Sequence, residues 1–301
     1  MKNKIVNDPV HGFISLDKPL LFKILEHPWI QRLRRIRQLG LTHLVYPGAQ
    51  HTRFQHALGA MHLMSMAVST LRSKGHGISE AENEAVLAAI LMHDIGHGPF
   101  SHVLEKTIVE AINHETISSI LMERLNSQFN GAISLAIDIF NDRYEKQYLH
   151  QLVSGQLDMD RLDYLKRDSF FSGVSEGVIG SDRIIKMLNM SNDHLVVEAK
   201  GIYSIEKFLV ARRLMYWQVY LHKTVLVAEK MLVQILRRAK HLTQQGEQLS
   251  APMNLQYFLS HNIGIDHFIQ SEQAIANFTL LDDDDVMCAI KAWMSHPDFV
   301  L

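Results

Sequence analysis

The sequence predicts a mainly α fold with a small β element, and three observations carry that prediction. Apolar residues recur at helical spacing along most of the 301 residues. Helix starts and stops are written in the right order, with Ser79 and Glu82 forming a capping box and Gly75 and Gly96 following helical stretches. Only Leu195 to Ala199, with Lys200-Gly201 behind it, reads as a short strand and turn.

Taken in order, Trp29 to Leu39 reads as a helix with basic residues on one side and a stop at Gly40. Arg53 to Lys74 reads as a second helix. Ser79 to Asp94 reads as a third, and its Ala85–Met92 run is so apolar that the helix must be buried. Gly96-His97-Gly98-Pro99 must turn, because Gly and Pro both break helices. Further helices are expected over Ser101 to Ile112, Glu115 to Asn126, Ile133 to Phe140 and Asp160 to Asp168. Tyr203 to His241 reads as one long helix or two joined ones. The carboxylates of Asp282 to Asp285 favour a helix N-terminus at that point. The basic residues Arg32, Arg34, Arg35 and Arg37 read most simply as a solvated helix face. Residues 1–240 are expected to form the main domain and 241–301 a helical extension. The apolar end Phe299-Val300-Leu301, with no cap or tail, fits a chain cut from a longer protein.

Composition narrows the function classes. Thirty Lys and Arg stand against 32 Asp and Glu, a net charge of −2, so a dedicated nucleic-acid surface is not expected. The single cysteine, Cys288, cannot form an internal disulfide and suits a reducing compartment. Met1 to Gly12 lacks the apolar run of a signal peptide, and no stretch approaches the roughly 20 apolar residues of a membrane span. A soluble, cytoplasmic protein is the expectation. The 14 methionines read as core filler.

Histidine is the unusual residue, with 18 in the chain, grouped at His43, His51, His56 and His62 and again at His93, His97, His102 and His114. His93-Asp94 closes the buried apolar helix, where two unpaired polar groups would cost several kcal/mol. A divalent cation satisfies both, and it also acidifies water for hydrolysis. Upstream stands Arg53-Phe54-Gln55-His56, and downstream Asp158-Met159-Asp160-Arg161-Leu162-Asp163-Tyr164. Spacing alone does not single out His56 and Asp160 from the other candidates. His43, His51 and His62 read as ordinary surface or core histidines.

The order His56, His93-Asp94, Asp160 resembles the HD superfamily of metal phosphohydrolases. With Asn7-Asp8-Pro9-Val10-His11-Gly12, Gln31-Arg32-Leu33-Arg34 and the long word His93-Asp94-Ile95-Gly96-His97-Gly98-Pro99-Phe100-Ser101-His102, the chain is similar to the deoxynucleoside triphosphate (dNTP) triphosphohydrolases of that superfamily. The resemblance covers roughly residues 5 to 225. It implies His56, His93, Asp94 and Asp160 as ligands of a divalent metal, whether Mn, Fe, Mg, Ni or Zn. It implies His102 and His114 as catalytic histidines, with Glu105 orienting a histidine from a position where the family often has Asp. Arg53, His97, Arg161 and Arg212 would hold phosphates; a planar guanidinium suits that task. Tyr164 and Asp168 would contact the sugar, Tyr220 would pack on the deoxyribose face and exclude a 2′-hydroxyl, and Gln38 and Leu39 would lie near base and sugar. Asn7, Gln31 and Arg34 match a region that binds activating nucleotides between subunits. Glu26 stands where that region usually has a guanine-reading Asp. The family also implies a homo-oligomer.

Two other readings fit the same metal residues. One is an HD phosphodiesterase or phosphatase acting on another nucleotide or phosphate ester. The other is a non-catalytic nucleotide sensor. His114, Tyr164, Asp168 and Tyr220 favour the dNTP reading, since a generic phosphatase has no use for a sugar pocket.

Overall fold

The computed structural model describes residues 4–100, 103, 107, 109 and 112–301. The core is a helical stack. Helix Arg53–Ser73 packs against both Glu80–Met92 and Met159–Ser172. Glu80–Met92 also packs on Ser134–Phe140 and Pro19–Glu26, and every residue from Ala85 to Met92 is buried. Burying each Leu, Ile or Val there stabilises the fold by roughly 1.5–3 kcal/mol. The capping box at Ser79 is present: its side chain accepts from Glu82 N at 3.2 Å, and Glu82 Oε2 accepts from Ser79 N at 2.7 Å.

Helices His114–Gln128, Ser134–Phe140 and Met159–Ser172 lie where periodicity places them, and the 96–99 segment is not helical. The 203–241 stretch resolves into two joined helices, Ile202–Met215 and Lys223–Gln244, linked by a π-helical turn at Tyr216–Tyr220. The second of these runs unbroken past residue 240. Helix Asp283–Trp293 begins with Asp282 as its N-cap. Most of the helix expected over 101–112 lies outside the described residues.

Three expectations need correction. Trp29 to Leu39 is not one helix: helix Pro28–Arg32 gives way to a 3-10 turn, Leu33–Arg35, and then to extended chain. There Arg37 bridges Thr52, and Gln38 N donates to His51 O at 3.0 Å. Cross-chain pairing has overridden local helical preference, and Gly40 opens a further 3-10 turn, Gly40–Leu44, rather than closing a helix. The four arginines are not all on a solvated face: Arg34 and Arg35 are exposed, but Arg32 is not. Arg32 is 1% exposed and donates to four backbone carbonyls: Ile95, His97, Phe278 and Leu281. The strand near 195 is His194–Val197, and its antiparallel partner Leu188–Ser191 was not expected. A second hairpin, Lys4–Asp8 with Gly12–Leu16, also escaped the pattern, because exposed Ile5 and Phe13 blur its alternation.

Candidate active site

The site begins with His56, on the first turns of helix Arg53–Ser73, and His93, at the C-terminal end of Glu80–Met92. Each imidazole is oriented through Nδ1. His56 Nδ1 donates to Asp163 Oδ2 at 2.8 Å, and His93 Nδ1 donates to Ile90 O at 2.6 Å. Carboxylate and carbonyl oxygens only accept, so in the neutral rings both Nε2 atoms carry lone pairs. These two atoms are 3.3 Å apart. Asp160 Oδ1 closes the triangle, 3.0 Å from His56 Nε2 and 3.6 Å from His93 Nε2. With both rings neutral, three electron-rich atoms converge with no donor between them, a repulsion that a proton on His56 or a bound cation relieves.

The donor set therefore fits a divalent metal. Among the described residues, His56, His93 and Asp160 are the group whose ligand atoms lie within 4.8 Å of one another. Two imidazoles and a carboxylate suit a borderline or hard ion. The same crowding explains the proton affinities. Burial lowers the His56 imidazole, but Asp160 and Asp163 outweigh it and raise it to about 10. Burial pushes Asp160 up, and the two histidines reverse that and hold it well below the usual carboxylate range.

Asp94 sits beside this triangle. Its Oδ1 is 3.4 Å from His93 Nε2 and 3.2 Å from His97 Nε2, and its Oδ2 is 3.8 Å from His56 Nε2. Arg53 Nη1 holds Oδ2 at 2.5 Å. Burial works against the Asp94 charge, but Arg53, His93 and His97 keep the group ionised. His97 stacks on His114 with ring centroids 3.8 Å apart. Burial, with Arg53 adding to it, depresses the His97 imidazole well below its ordinary value. His97 is thus a neutral ring.

Asp163 is a site residue that sequence reasoning missed. It accepts from His56, from His11 Nε2 at 2.6 Å and from Arg167 Nε at 2.9 Å, while Arg167 also grips Asp8 at 2.8 Å. The Asn7–Gly12 word thereby acquires a physical role: Asp8 and His11 lock the carboxylate that orients His56. Gly59 leaves room for that lock, since a Cβ there would lie 2.0 Å from Asp163 Oδ1. Gly96 has a similar role in the His93–Phe100 loop, because a Cβ would lie 2.3 Å from His114 O. Ser118 ties the same loop down, accepting from Gly96 N and donating to His93 O.

Two cavities lie here, and the smaller borders the triangle through His93 and Asp160. One, of about 530 Å³, is lined by His93, Asp94, His114, Glu115, Ser119 and Asp160. The other, of about 630 Å³, is lined by Gln38, Leu39, Arg53, Phe100, Arg161 and Tyr164, and further by Asp168 and Tyr220. His114 borders both. In the larger cavity Asp168 accepts from Tyr220 Oη at 2.8 Å and from His51 Nε2 at 2.7 Å. His51 is thus a positioning group, not the bystander its sequence context suggested. Burial and the Asp168 charge push the Tyr220 phenol well up, so it stays a donor. Arg161 packs against the Asp158 cap, with Nε 2.8 Å from Gly155 O. Arg212 does not line this cavity; its guanidinium lies 5.9 Å from the ring of Tyr216, which does.

His102 and Glu105 lie outside the described residues. Gln31 and Arg34 are brought together, with Arg34 Nε 2.8 Å from Gln31 Oε1, and the Arg34 guanidinium stacks 3.7 Å from the Phe54 ring centroid. Asn7 is on the exposed Lys4–Asp8 strand, where Glu26 pairs with Lys4. No helix among the described residues is long and apolar enough to cross a membrane.

Comparison with known proteins gives the family. The HD domain matches residues 53–168 and the HD associated region matches 179–254. The solved structure of a phosphohydrolase from Bacteroides thetaiotaomicron superposes with a TM-score of 0.97 at 61% identity, covering 99% of this chain and 74% of that one. The uncharacterized protein YwfO of Bacillus subtilis is 32% identical, covering 100% of this chain and 68% of its own length. The deoxynucleoside triphosphate triphosphohydrolase SAMHD1 homolog of Dictyostelium discoideum is 28% identical, covering 83% of this chain and 52% of its own.

Proposed function

This chain belongs to the HD-domain family, and from that premise we propose that it is a metal-dependent dNTP triphosphohydrolase. The observation that carries the proposal is one juxtaposition: two of three convergent metal donors, His93 and Asp160, border a cavity that meets, at His114, a second one whose walls hold Arg53, Arg161 and the Tyr220–Asp168 pair. The Dictyostelium relative, named for this same activity, supports the choice of substrate.

His56, His93 and Asp160 would hold the ion, and Asp94 beside them would serve as a fourth ligand. Bound there, a divalent ion supplies Lewis acidity toward phosphate oxygens and a more acidic water. Arg53 and Arg161 on the cavity wall, with Arg212 beyond Tyr216, offset the charge of the triphosphate. The neutral His97 ring gives its one N–H to Asp94 and adds no charge beside the phosphates. Water adds to the α-phosphorus, the bond to O5′ breaks, and O5′ takes up a proton, leaving deoxynucleoside and triphosphate. His114 and His102 serve that proton transfer, with Glu105 orienting His102. At the other end Asp168 accepts the 3′-hydroxyl, since a carboxylate pair of oxygens has acceptor sites left after His51 and Tyr220. Tyr164, Tyr220, Gln38 and Leu39 enclose the deoxyribose and base. Asn7, Gln31 and Arg34 form a surface for an activating nucleotide, in a homo-oligomer.

A substrate panel tests the reading. Metal-loaded protein is offered the four dNTPs, the four ribonucleotides and bis-p-nitrophenyl phosphate. Turnover of dNTPs in preference to the rest is expected. Turnover of the diester alone, or of ribonucleotides equally well, contradicts it.

A further inference from the structure

The C-terminal segment after residue 254 lies outside both matched regions, yet it reaches the larger cavity from behind. Asp283, the first residue of helix Asp283–Trp293, is 1% exposed. Its two oxygens go to two different stretches of chain. Oδ1 accepts from Phe100 N at 2.9 Å, and Oδ2 accepts from Arg37 N at 2.9 Å, with Arg37 Nη1 3.6 Å away. Both recipients adjoin or form the cavity wall. Phe100 lines it on one side; Gln38 and Leu39, directly after Arg37, line it on another.

Phe100 also needs holding. Its φ of 50° is the left-handed region, which a bulky L-residue adopts at a cost and keeps only when its surroundings impose it. Asp283 supplies that constraint through the Phe100 N–H. Its own helix does not require this carboxylate as a cap, because Asp282 caps it by accepting from Asp284 N and Asp285 N. Arg32 reinforces the brace, joining Phe278 O and Leu281 O to Ile95 O and His97 O.

We propose that Asp283 is a positioning residue that sets the width of the nucleotide cavity by clamping its two walls, Arg37–Leu39 and Phe100, from outside the site. The clamp follows from these contacts alone; its effect on nucleotide binding rests on the proposed function. The metal triangle has separate anchors in Asp163 and Ile90 O, so loosening the clamp affects nucleotide fit more than chemistry at the metal.

The test compares the wild-type chain with Asp283→Asn, which keeps size but turns one acceptor into a donor, and with Asp283→Ala. Amide hydrogen exchange is followed at Phe100 and Arg37, and KM and kcat are measured for dGTP and for bis-p-nitrophenyl phosphate, all with metal bound. Exchange at both amides is expected to quicken roughly tenfold or more in Asp283→Ala, the scale of a lost buried hydrogen bond to a charged group, with the Glu80–Met92 amides unchanged. The KM for dGTP is expected to rise about tenfold with kcat within about twofold, while diester turnover holds. Unchanged exchange at both amides overturns the clamp. So does an unchanged KM for dGTP in a folded variant, or an equal loss on both substrates. If Asp283→Ala does not fold, Asp283→Asn decides on the same readouts. If the wild type hydrolyses no dNTP, the proposed function fails, and the exchange data still decide the clamp.

Discussion

The two ends of the site are built on opposite principles. At the metal end, acceptors outnumber donors when the rings are neutral: His56 Nε2, His93 Nε2 and Asp160 Oδ1 point at one another and leave a deficit that positive charge, a proton or a metal ion, fills. At the end proposed for the sugar, the carboxylate is already satisfied, with Asp168 held by Tyr220 and His51. The first arrangement is committed to one kind of occupant and is rigidly oriented from behind. The second tolerates an empty cavity and adds selectivity when it is filled. Substitutions at the metal end should therefore be all-or-none, and those at the sugar end graded.

The largest effect is expected from removing a ligand. Asp160→Ala or His93→Ala should abolish both bound metal, measured by elemental analysis, and turnover. A protein lacking Asp160 that still turns over substrate, free of contaminating enzyme, would break the comparison. His114→Ala should keep its metal and lose roughly 10²–10⁴-fold in kcat, the usual range for a general acid or base. Asp163→Asn acts one step back. By disturbing the tautomer and orientation of His56 it should weaken metal affinity about 10–100-fold, read by competition with a chelator. Metal removal itself should lower Tm, because an ion that binds only the folded state contributes about 2.7 kcal/mol at 100 times its Kd. An apo protein as stable as the loaded one would mean that the triangle holds no ion. Smallest should be the sugar end: Tyr220→Ala should blunt the choice of deoxy- over ribonucleotide. Tyr220→Phe, which loses only the bond to the Asp168 carboxylate, should cost about 1.5–3 kcal/mol.

What could be read from sequence divides along the same physical line. His93-Asp94 was legible because it ends an apolar run that has to be buried, and the capping box at Ser79 fixed where that helix begins. Those signals are local. Asp163, His51, Arg32 and Asp283 were not legible, because their partners lie far off in the chain: Asp163 meets His11, His51 meets Asp168, Arg32 meets Phe278, and Asp283 meets Phe100. Read locally, Asp163 is one more acid on a helix and Arg32 one more cation in a basic run. The helix expected from Trp29 to Leu39 failed for the same reason, since the pairing of Arg37 with Thr52 is a tertiary event.

The measurement that bears most directly on the central claim is product analysis in ¹⁸O-labelled water. Metal-loaded protein is incubated with each dNTP, singly and mixed, and the products are separated and weighed. The account predicts deoxynucleoside and inorganic triphosphate, with the label in the triphosphate because water adds at the α-phosphorus. Deoxynucleoside monophosphate with pyrophosphate, diphosphate with phosphate, or no turnover with any of Mn, Mg, Fe, Ni or Zn would contradict it.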